Sequence, residues 1–157
     1  MQIALYVIGK TNLQGVQPLI DEYSKRVNRF VKFEMLVLAD IKNAGSQTVD
    51  ILVDKEGVSF LSNIKRDDFV VILDERGTQL SSIAFADKLQ DMMSTARGRI
   101  VFLIGGAYGF SQDVINRSNY SLSLSKMTFN HQMVRAIFIE QLYRSIAILK
   151  GLPYHHE

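Results

Sequence analysis

Short apolar runs alternate with longer segments of helical periodicity along the whole chain, and this alternation restricts the fold more than any other feature. The apolar runs lie at residues 3–8, 33–38, 69–73, 100–104 and 120–124. The helical patterns lie at residues 16–30, at 49–64, after Ser81 or Ser82, after Ser111 and at 131–150. Strands that alternate with helices are typical of βαβ units. The pattern therefore predicts an α/β fold whose mostly parallel sheet, of five to six strands, has helices on both faces.

The length and composition indicate one globular unit. A chain of 157 residues predicts a single domain over residues 1–157. Apolar residues make up 47% of it, which excludes intrinsic disorder because enough surface can be buried to offset the entropy of ordering. No apolar run approaches the roughly 18 residues of a membrane span, and the start of the chain lacks a signal-peptide pattern. We therefore expect a cytoplasmic protein that does not associate with membranes.

Two residue types limit the possible chemistry. The chain has no cysteine, which excludes a disulfide scaffold, a thiolate metal site and a cysteine nucleophile. No metal is expected. The three histidines are His131, His155 and His156, so chemistry that needs an imidazole must lie near the C-terminus.

The net charge of +2 is too small to indicate nucleic-acid binding by itself. Positive charge is nevertheless concentrated on the exposed side of the first helix, at Lys25, Arg26 and Arg29. A local basic surface of this kind remains compatible with an RNA partner.

In parallel sheets, ligands bind beyond the carboxyl ends of the strands, here the segments after Leu73, Ile104 and Leu124. Residues 105–109, Gly-Gly-Ala-Tyr-Gly, follow the fourth strand. Such glycines let a ligand approach the backbone, although a tight turn between strand and helix is an equally good interpretation. The segment is not a G-x-G-x-x-G motif, and Gly9 stands alone after the first strand, which argues against a dinucleotide site.

The other two segments are less specific. Residues 124–129 mix polar and apolar side chains and would suit an adenine held by backbone hydrogen bonds, but a plain connector is the simpler interpretation. Asp74 and Glu75 follow the third strand. Paired carboxylates suggest acid–base chemistry or a metal, whereas adjacent ones on a loop are more often solvated.

The last helix is apolar nearly all round. Its main apolar stripe consists of Met133, Val134, Ile137, Phe138, Leu142, Ile146 and Leu149. In a small monomer some of this apolar surface would remain exposed to solvent, so we expect a second copy of the chain to cover it. Glu140 and Arg144 form an i,i+4 pair, for which a surface salt bridge is the simpler interpretation.

The C-terminus concentrates Tyr154, His155, His156 and Glu157 in four residues after Pro153. Such groups can stack on a base, bind a phosphate or accept a proton near neutral pH. A frayed terminus is the more common interpretation of an end of this kind.

Five segments of the C-terminal half form one ordered set: LIGGAYG at 103–109, LSLSKMTF at 122–129, HQMVR at 131–135, IEQLYR at 139–144 and YHHE at 154–157. Their order and spacing, and the length of the chain, resemble the SPOUT methyltransferases, and specifically the ribosomal RNA large-subunit methyltransferase H family. Each segment alone is weak, whereas five in the right order are specific. The resemblance extends over essentially the whole chain.

This resemblance implies a C-terminal segment threaded into a trefoil knot, a homodimer, and S-adenosylmethionine as the methyl donor. Matching positions imply that the cofactor is bound by Leu73, Gly105, Leu124, Ser125, Lys126, Met127, Thr128 and Phe129. These residues lie in the strand-end segments that the predicted sheet also selects.

The implied reaction is N3-methylation of a pseudouridine in a stem-loop of 23S ribosomal RNA, on assembled ribosomes. His155 is then the candidate base for the N3 proton, with His156 as the next candidate, and Tyr154 would stack on or orient the target base. Arg135 and Arg144 would hold phosphates or the tail.

In a homodimer, the basic helix with Lys25, Arg26 and Arg29 would lie beside the partner's cofactor pocket and bind RNA. Two positions depart from the family pattern. Some relatives have proline in place of Asn130, and some have Arg or Lys in place of His156, which puts a general role of His156 in doubt.

Three other functions compete with this interpretation. A SPOUT methyltransferase that acts on tRNA would share the cofactor segments but not the C-terminal Tyr-His-His-Glu. A non-catalytic ribosome-associated module would not require the glycine loop. A NAD-dependent enzyme is disfavoured by the missing glycines after the first strand.

Overall fold

The computed structural model describes residues 1–156 of the chain. Within that range the strands are β1 (Gln2–Ile8), β2 (Lys32–Leu38), β3 (Phe69–Gln79), β4 (Ile100–Ile104) and β5 (Tyr120–Ser123). The α-helices are α1 (Val16–Asn28), α2 (Val49–Leu61), α3 (Ser82–Thr95), α4 (Gln112–Arg117) and α5 (Met133–Leu149), with a short 3-10 turn at Ala44–Ser46. The predicted α/β alternation is confirmed.

All strand pairs in the sheet are parallel, in the order β2-β1-β4-β3-β5. The start of β4 is paired on both sides, because Ile100 is in register with Ile3 of β1 and with Phe69 of β3. Every residue of β4 is buried. Burial on both faces explains why the central strands are continuous apolar runs rather than alternating ones.

Successive side chains of β1 point to opposite faces of the sheet and enter two separate cores. Ile3, Leu5 and Val7 pack with residues of α1, α3 and α5. Ala4 and Tyr6 pack on the other face with residues of α2 and α4. The helices therefore cover both faces, as predicted. None of the helices in residues 1–156 is long and apolar enough to cross a membrane.

Strand β3 is longer than the sequence indicates. The predicted strand ends at Leu73, but the structure continues it to Gln79, with a register shift in which both Leu73 and Thr78 pair with Leu122 of β5. Gly77 permits this close pairing, since a Cβ there would lie 2.7 Å from Oγ of Ser121. The charged segment that follows Leu73 is thus a bulged extension of the strand rather than a free loop.

Helix α3 corrects a second expectation: its helical spacing in the sequence predicts that Ile83, Leu89, Met92 and Met93 face inward. Ser81 caps the helix by accepting a hydrogen bond from the Ala84 N–H at 3.1 Å, and Leu89 and Met92 are buried and Met93 half-buried, as predicted. Ile83 is instead 37% exposed. It lies two residues before the buried Phe85, on the opposite side of the helix.

Candidate active site

A cavity of about 660 Å³ opens at the carboxyl ends of β4 and β5, beside the bulged extension of β3. Its size is within the range of small-molecule sites. Residues 73–76 of β3 and the segments that follow β4 and β5 provide most of its wall, together with the first turn of α5. The lining residues are Leu73, Asp74, Glu75, Arg76, Ile104, Gly105, Gly106, Ala107, Tyr108, Gly109, Phe110, Leu124, Ser125, Met127, Thr128, Phe129, Asn130, His131 and Val134.

Most of the residues expected to bind a cofactor meet at this cavity. The ones that line it are Leu73, Gly105, Leu124, Ser125, Met127, Thr128 and Phe129. Lys126 belongs to the same segment, but its side chain is exposed and is not part of the wall. The segments are far apart in sequence and come together because parallel strands end at one edge of the sheet.

The glycine loop is both a tight turn and a wall of the cavity. Gly109 has φ = 82°, a left-handed conformation that favours glycine, and its N–H donates to the Gly106 carbonyl at 3.3 Å. A Cβ on Gly105 would lie 2.8 Å from the Gly109 carbonyl oxygen. The two interpretations of residues 105–109 are therefore compatible.

Hydrogen bonds fix the segment after β5 against the extension of β3. The Met127 N–H donates to Oγ of Ser125 at 2.9 Å, and the Thr128 hydroxyl donates to Oε2 of Glu75 at 2.6 Å. Glu75 is thus a structural anchor for the loop. The segment is a connector with a defined shape rather than a mobile link.

Asp74 is also occupied within the chain. It accepts hydrogen bonds from the backbone N–H of Arg76 at 2.8 Å and from its Nε at 3.1 Å, and the Arg76 guanidinium holds the pKa of Asp74 below its usual range. Among residues 1–156, no group of three or more histidine, aspartate or glutamate side chains is arranged to hold a metal ion.

Arg135 has a structural position, which corrects the expectation that it holds phosphates or the tail. Its side chain is 1% exposed. The guanidinium donates to the carbonyls of Ile8 (2.6 Å) and Gly9 (2.8 Å), to the Thr11 hydroxyl (2.9 Å) and to the His131 carbonyl (3.2 Å). Four of its five donors are thereby used, and three of them connect α5 to the end of β1 and the residues that follow it. Burial lowers the pKa of Arg135.

The C-terminal tail folds back over α5. The helix ends as predicted at Gly151, with φ = 64°, whose N–H donates to the Ile148 carbonyl at 3.0 Å. The Leu152 N–H donates to the Ala147 carbonyl at 2.9 Å. These two bonds are those of a Schellman motif, which reverses the chain direction after a helix.

Tyr154 is anchored in what we call the tail cluster, formed by Tyr23, Glu140, Tyr143, Arg144, Tyr154 and His155. The Tyr154 hydroxyl donates to Oε1 of Glu140 at 3.0 Å and lies 3.1 Å from the Tyr23 hydroxyl. Its ring packs edge-on against Tyr143, with centroids 4.8 Å apart, and under the Arg144 guanidinium at 4.7 Å. Burial, with these hydrogen bonds, raises the pKa of Tyr154 well above its usual range, so the phenol stays protonated.

Arg144 connects the tail to α5. It donates from Nε to Oε1 of Glu140 at 3.1 Å, and its Nη1 lies 3.4 Å from Nδ1 of His155. A guanidinium only donates, so Nδ1 of His155 is the acceptor in this contact and carries a lone pair. The Glu140–Arg144 pair is therefore part of a larger polar cluster and is not only a surface salt bridge.

The tail cluster lies far from the cavity of its own chain. Val134 of α5 lines the cavity, and Arg144 follows ten residues later, about 15 Å along the helix axis. The basic helix lies on the side of the tail, because the Arg26 guanidinium packs 5.7 Å from the centre of the Tyr143 ring. Lys25 and Arg29 are exposed. Within a single chain, the predicted cofactor residues thus lie apart from the predicted catalytic residues.

Some cavity residues were not predicted to bind the cofactor. Phe110, Asn130, His131 and Val134 line the cavity as well. Phe110 and Asn130 directly follow predicted segments, and the periodicity of α5 alone does not show that its first turn closes the cavity.

The comparisons with known proteins agree with this architecture. The chain matches the family model described as "Predicted SPOUT methyltransferase" over residues 1–155. A solved structure described as "a probable methylase family protein from Haemophilus influenzae Rd KW20" superposes with a TM-score of 0.52, covering 99% of this chain and 70% of that one at 11% identity, which is evidence for the fold alone.

Curated relatives match over full length. The chain is 48% identical to ribosomal RNA large subunit methyltransferase H of Flavobacterium psychrophilum, covering all of both chains, and 47% identical to that of Christiangramia forsetii, covering 99% of both. The protein of the same name from Bacteroides thetaiotaomicron is 45% identical over the whole of both chains. This chain therefore belongs to the SPOUT methyltransferases, and within them to the family of ribosomal RNA large subunit methyltransferase H.

Proposed function

We propose that this chain is an S-adenosylmethionine-dependent methyltransferase that methylates N3 of a pseudouridine in a stem-loop of 23S ribosomal RNA on the ribosome. The observation that supports this most strongly is the meeting of the strand-end segments at one cavity, in a chain whose full-length relatives are named ribosomal RNA large subunit methyltransferase H. Ribosomes as substrate also imply a cytoplasmic location.

The cavity fits the proposed cofactor in size and in the character of its wall. A volume of about 660 Å³ accommodates a nucleoside with an amino-acid side chain, and Gly105 lines it with backbone alone. Leu73, Gly105 and the segment 124–129 would hold the molecule. When bound, S-adenosylmethionine supplies a methyl group on a positively charged sulfur.

We propose further that the active site is completed in a homodimer. Arg144 of the tail cluster lies about 15 Å along α5 from Val134 of the cavity wall, and Tyr154 and His155 do not line that cavity. Met133 at the start of α5 is 46% exposed and Ile137 is half-buried, which leaves apolar surface for a partner to cover. Two-fold symmetry would then place each tail beside the other chain's cavity. The trefoil knot around the segment after β5 remains an expectation from the family.

The tail residues have different roles in this proposal. The lone pair on Nδ1 of His155, which accepts a long contact from Arg144, takes the N3 proton and gives up that contact. The positive charge of Arg144 stabilises the deprotonated ring during the reaction. Tyr154, kept neutral, fixes the position of the tail, and the exposed His156 is the alternative base.

The basic helix α1 supplies the contact with RNA. Lys25 and Arg29 are exposed, and Arg26 lies beside the tail cluster. Phosphate contacts by such side chains weaken as salt rises, so methylation of ribosomes should fall with ionic strength.

Transfer of a labelled methyl group to ribosomes tests the proposed function. Ribosomes that lack the modification should accept label from S-adenosylmethionine, and mapping should place it on N3 of one pseudouridine of 23S rRNA. Label on free tRNA instead would favour a tRNA methyltransferase. Binding to ribosomes without any transfer would favour a non-catalytic module.

A further inference from the structure

Glu56 is a buried carboxylate that the proposed reaction does not use. It lies in α2 and is 8% exposed. It does not line the cavity but lies behind the glycine loop, where its carboxylate faces the backbone of Gly106. A Cβ on Gly106 would be 2.6 Å from Oε1 and 2.8 Å from Oε2 of Glu56. Both oxygens therefore lie directly against the backbone of the loop.

The next residue, Gly57, explains how α2 comes so close. A Cβ on Gly57 would collide with the Ser111 hydroxyl, which caps α4 by accepting from the Val114 N–H. The sequence Glu56-Gly57 thus touches both ends of the segment from Gly106 to Ser111. A glycine that weakens a helix is retained where close approach requires it.

We propose that Glu56 is a positioning residue: its carboxylate fixes the Gly106 backbone, and with it the wall of the cavity, in the conformation that binds the methyl donor. This inference rests on the proposed function. Glu56 acts through the loop and has no contact with the reacting atoms. Removing it should therefore change cofactor affinity much more than the rate at saturating cofactor.

The charge of Glu56 makes the proposal testable by pH. Burial, with Asp40 nearby, raises the pKa of Glu56 above its ordinary value. The groups that face it are Asp40, from the segment after β2, and the Gly106 N–H. Because the pKa of Glu56 is higher in the folded than in the unfolded chain, Glu56 stabilises the fold at pH values below its pKa in the unfolded chain. This contribution is lost as the pH rises through its pKa in the folded chain. Cofactor affinity should change in the opposite direction, since the backbone N–H of Gly106 is attracted more strongly by a carboxylate than by a carboxylic acid.

The first experiment needs no cofactor. The ¹⁵N-labelled full chain is titrated between about pH 4.5 and 8, and the amide of Gly106 is followed by NMR. Its resonance should move with the titration of Glu56, and the movement should vanish in Glu56→Gln. A Gly106 amide that does not respond to pH, or responds equally in Glu56→Gln, would overturn the proposal.

The second experiment measures binding of S-adenosylmethionine and S-adenosylhomocysteine by calorimetry. Glu56→Ala should weaken both by about tenfold or more, and Glu56→Gln less, because a polar amide of similar size would still lie against the Gly106 backbone. Asp54→Asn, exposed on the same helix, is the matched control and should bind as the unmodified chain does. A loss confined to S-adenosylmethionine would mean that Glu56 acts on the sulfonium by charge, which would contradict the positioning role.

The two hypotheses fail separately. If the unmodified chain binds neither compound, the proposed function is wrong. If it binds both and Glu56→Ala binds equally well, only the role of Glu56 is wrong. On acidification, the cofactor affinity of the unmodified chain should fall, whereas its free energy of unfolding relative to that of Glu56→Gln should rise. A residue with a merely structural role would not give these opposite changes.

Discussion

The Tyr154 hydroxyl donates a hydrogen bond to Oε1 of Glu140 at 3.0 Å, and this bond attaches the end of the chain to the middle of its last helix. Arg144, one turn after Glu140, binds the same oxygen and packs on the Tyr154 ring. The tail is therefore ordered by several contacts within one chain. It presents His155 at a fixed place, far from the cavity of that chain.

Removing the tail should separate catalysis from cofactor binding. Deletion of residues 154–157 should leave S-adenosylmethionine affinity and the dimer nearly unchanged, because Tyr154, His155 and His156 do not line the cavity of their own chain. Methyl transfer to ribosomes should fall by about 100-fold or more, since a positioned proton acceptor is lost. Single-turnover transfer and calorimetry measure the two effects. Full activity of the shortened chain would mean that the tail has no catalytic role.

The glycine loop gives the complementary variant. Gly105→Val should abolish cofactor binding, because even its Cβ would lie 2.8 Å from the Gly109 carbonyl oxygen and would displace this wall of the cavity. Circular dichroism should remain that of an α/β protein. Gly45→Val is the control, since nothing lies within 4 Å of a Cβ there. Normal binding by folded Gly105→Val would remove this loop from the site.

The dimer should depend on the exposed apolar side of α5. Ile137→Glu should give monomers in light scattering at micromolar concentration and no methylation, because a charge would replace apolar contact across the interface. Val58→Glu, which adds the same charge to a 68% exposed site on α2, should remain dimeric. Leu142 is 0% exposed within its own chain, so Leu142→Glu should unfold the protein instead. A fully active monomeric Ile137→Glu chain would contradict the shared site.

Arg135 should affect stability more than RNA binding. Arg135→Ala leaves buried carbonyls of Ile8 and Gly9 without a donor and should lower the free energy of unfolding by about 2–4 kcal/mol. The exposed Arg29→Ala should change it by no more than about 0.5 kcal/mol while weakening ribosome binding. Urea unfolding measures both. An unchanged stability of Arg135→Ala with reduced ribosome affinity would restore its role in substrate binding.

The sequence predicts the order of strands and helices well because each buried parallel strand is one uninterrupted apolar run, as in residues 100–104. It also predicts the segments that meet at the cavity, since a parallel sheet brings the carboxyl ends of its strands to one edge. The extension of β3 was missed because Asp74, Glu75 and Gly77 have the composition of a turn. Only the pairing with β5, a distant part of the sequence, shows that they belong to a strand.

The role of Arg135 could not be predicted for a related reason. A charged residue on a helix is normally exposed, and its carbonyl partners on Ile8 and Gly9 precede it by more than a hundred residues. Glu56 was missed likewise, because α2 gives no indication that it lies behind the glycine loop. In both cases, the position of the side chain depends on contacts between segments that are distant in sequence.

The central claim is that each active site combines the cavity of one chain with the tail of another, and mixed dimers test it most directly. Gly105→Val and the chain that lacks residues 154–157 are each expected to be inactive on ribosomes. Co-expressed, they form heterodimers in which one intact cavity faces one intact tail, so the mixture should recover about a quarter of wild-type methyl transfer by random assortment. A mixture as inactive as its components, with heterodimers present, would contradict the shared active site.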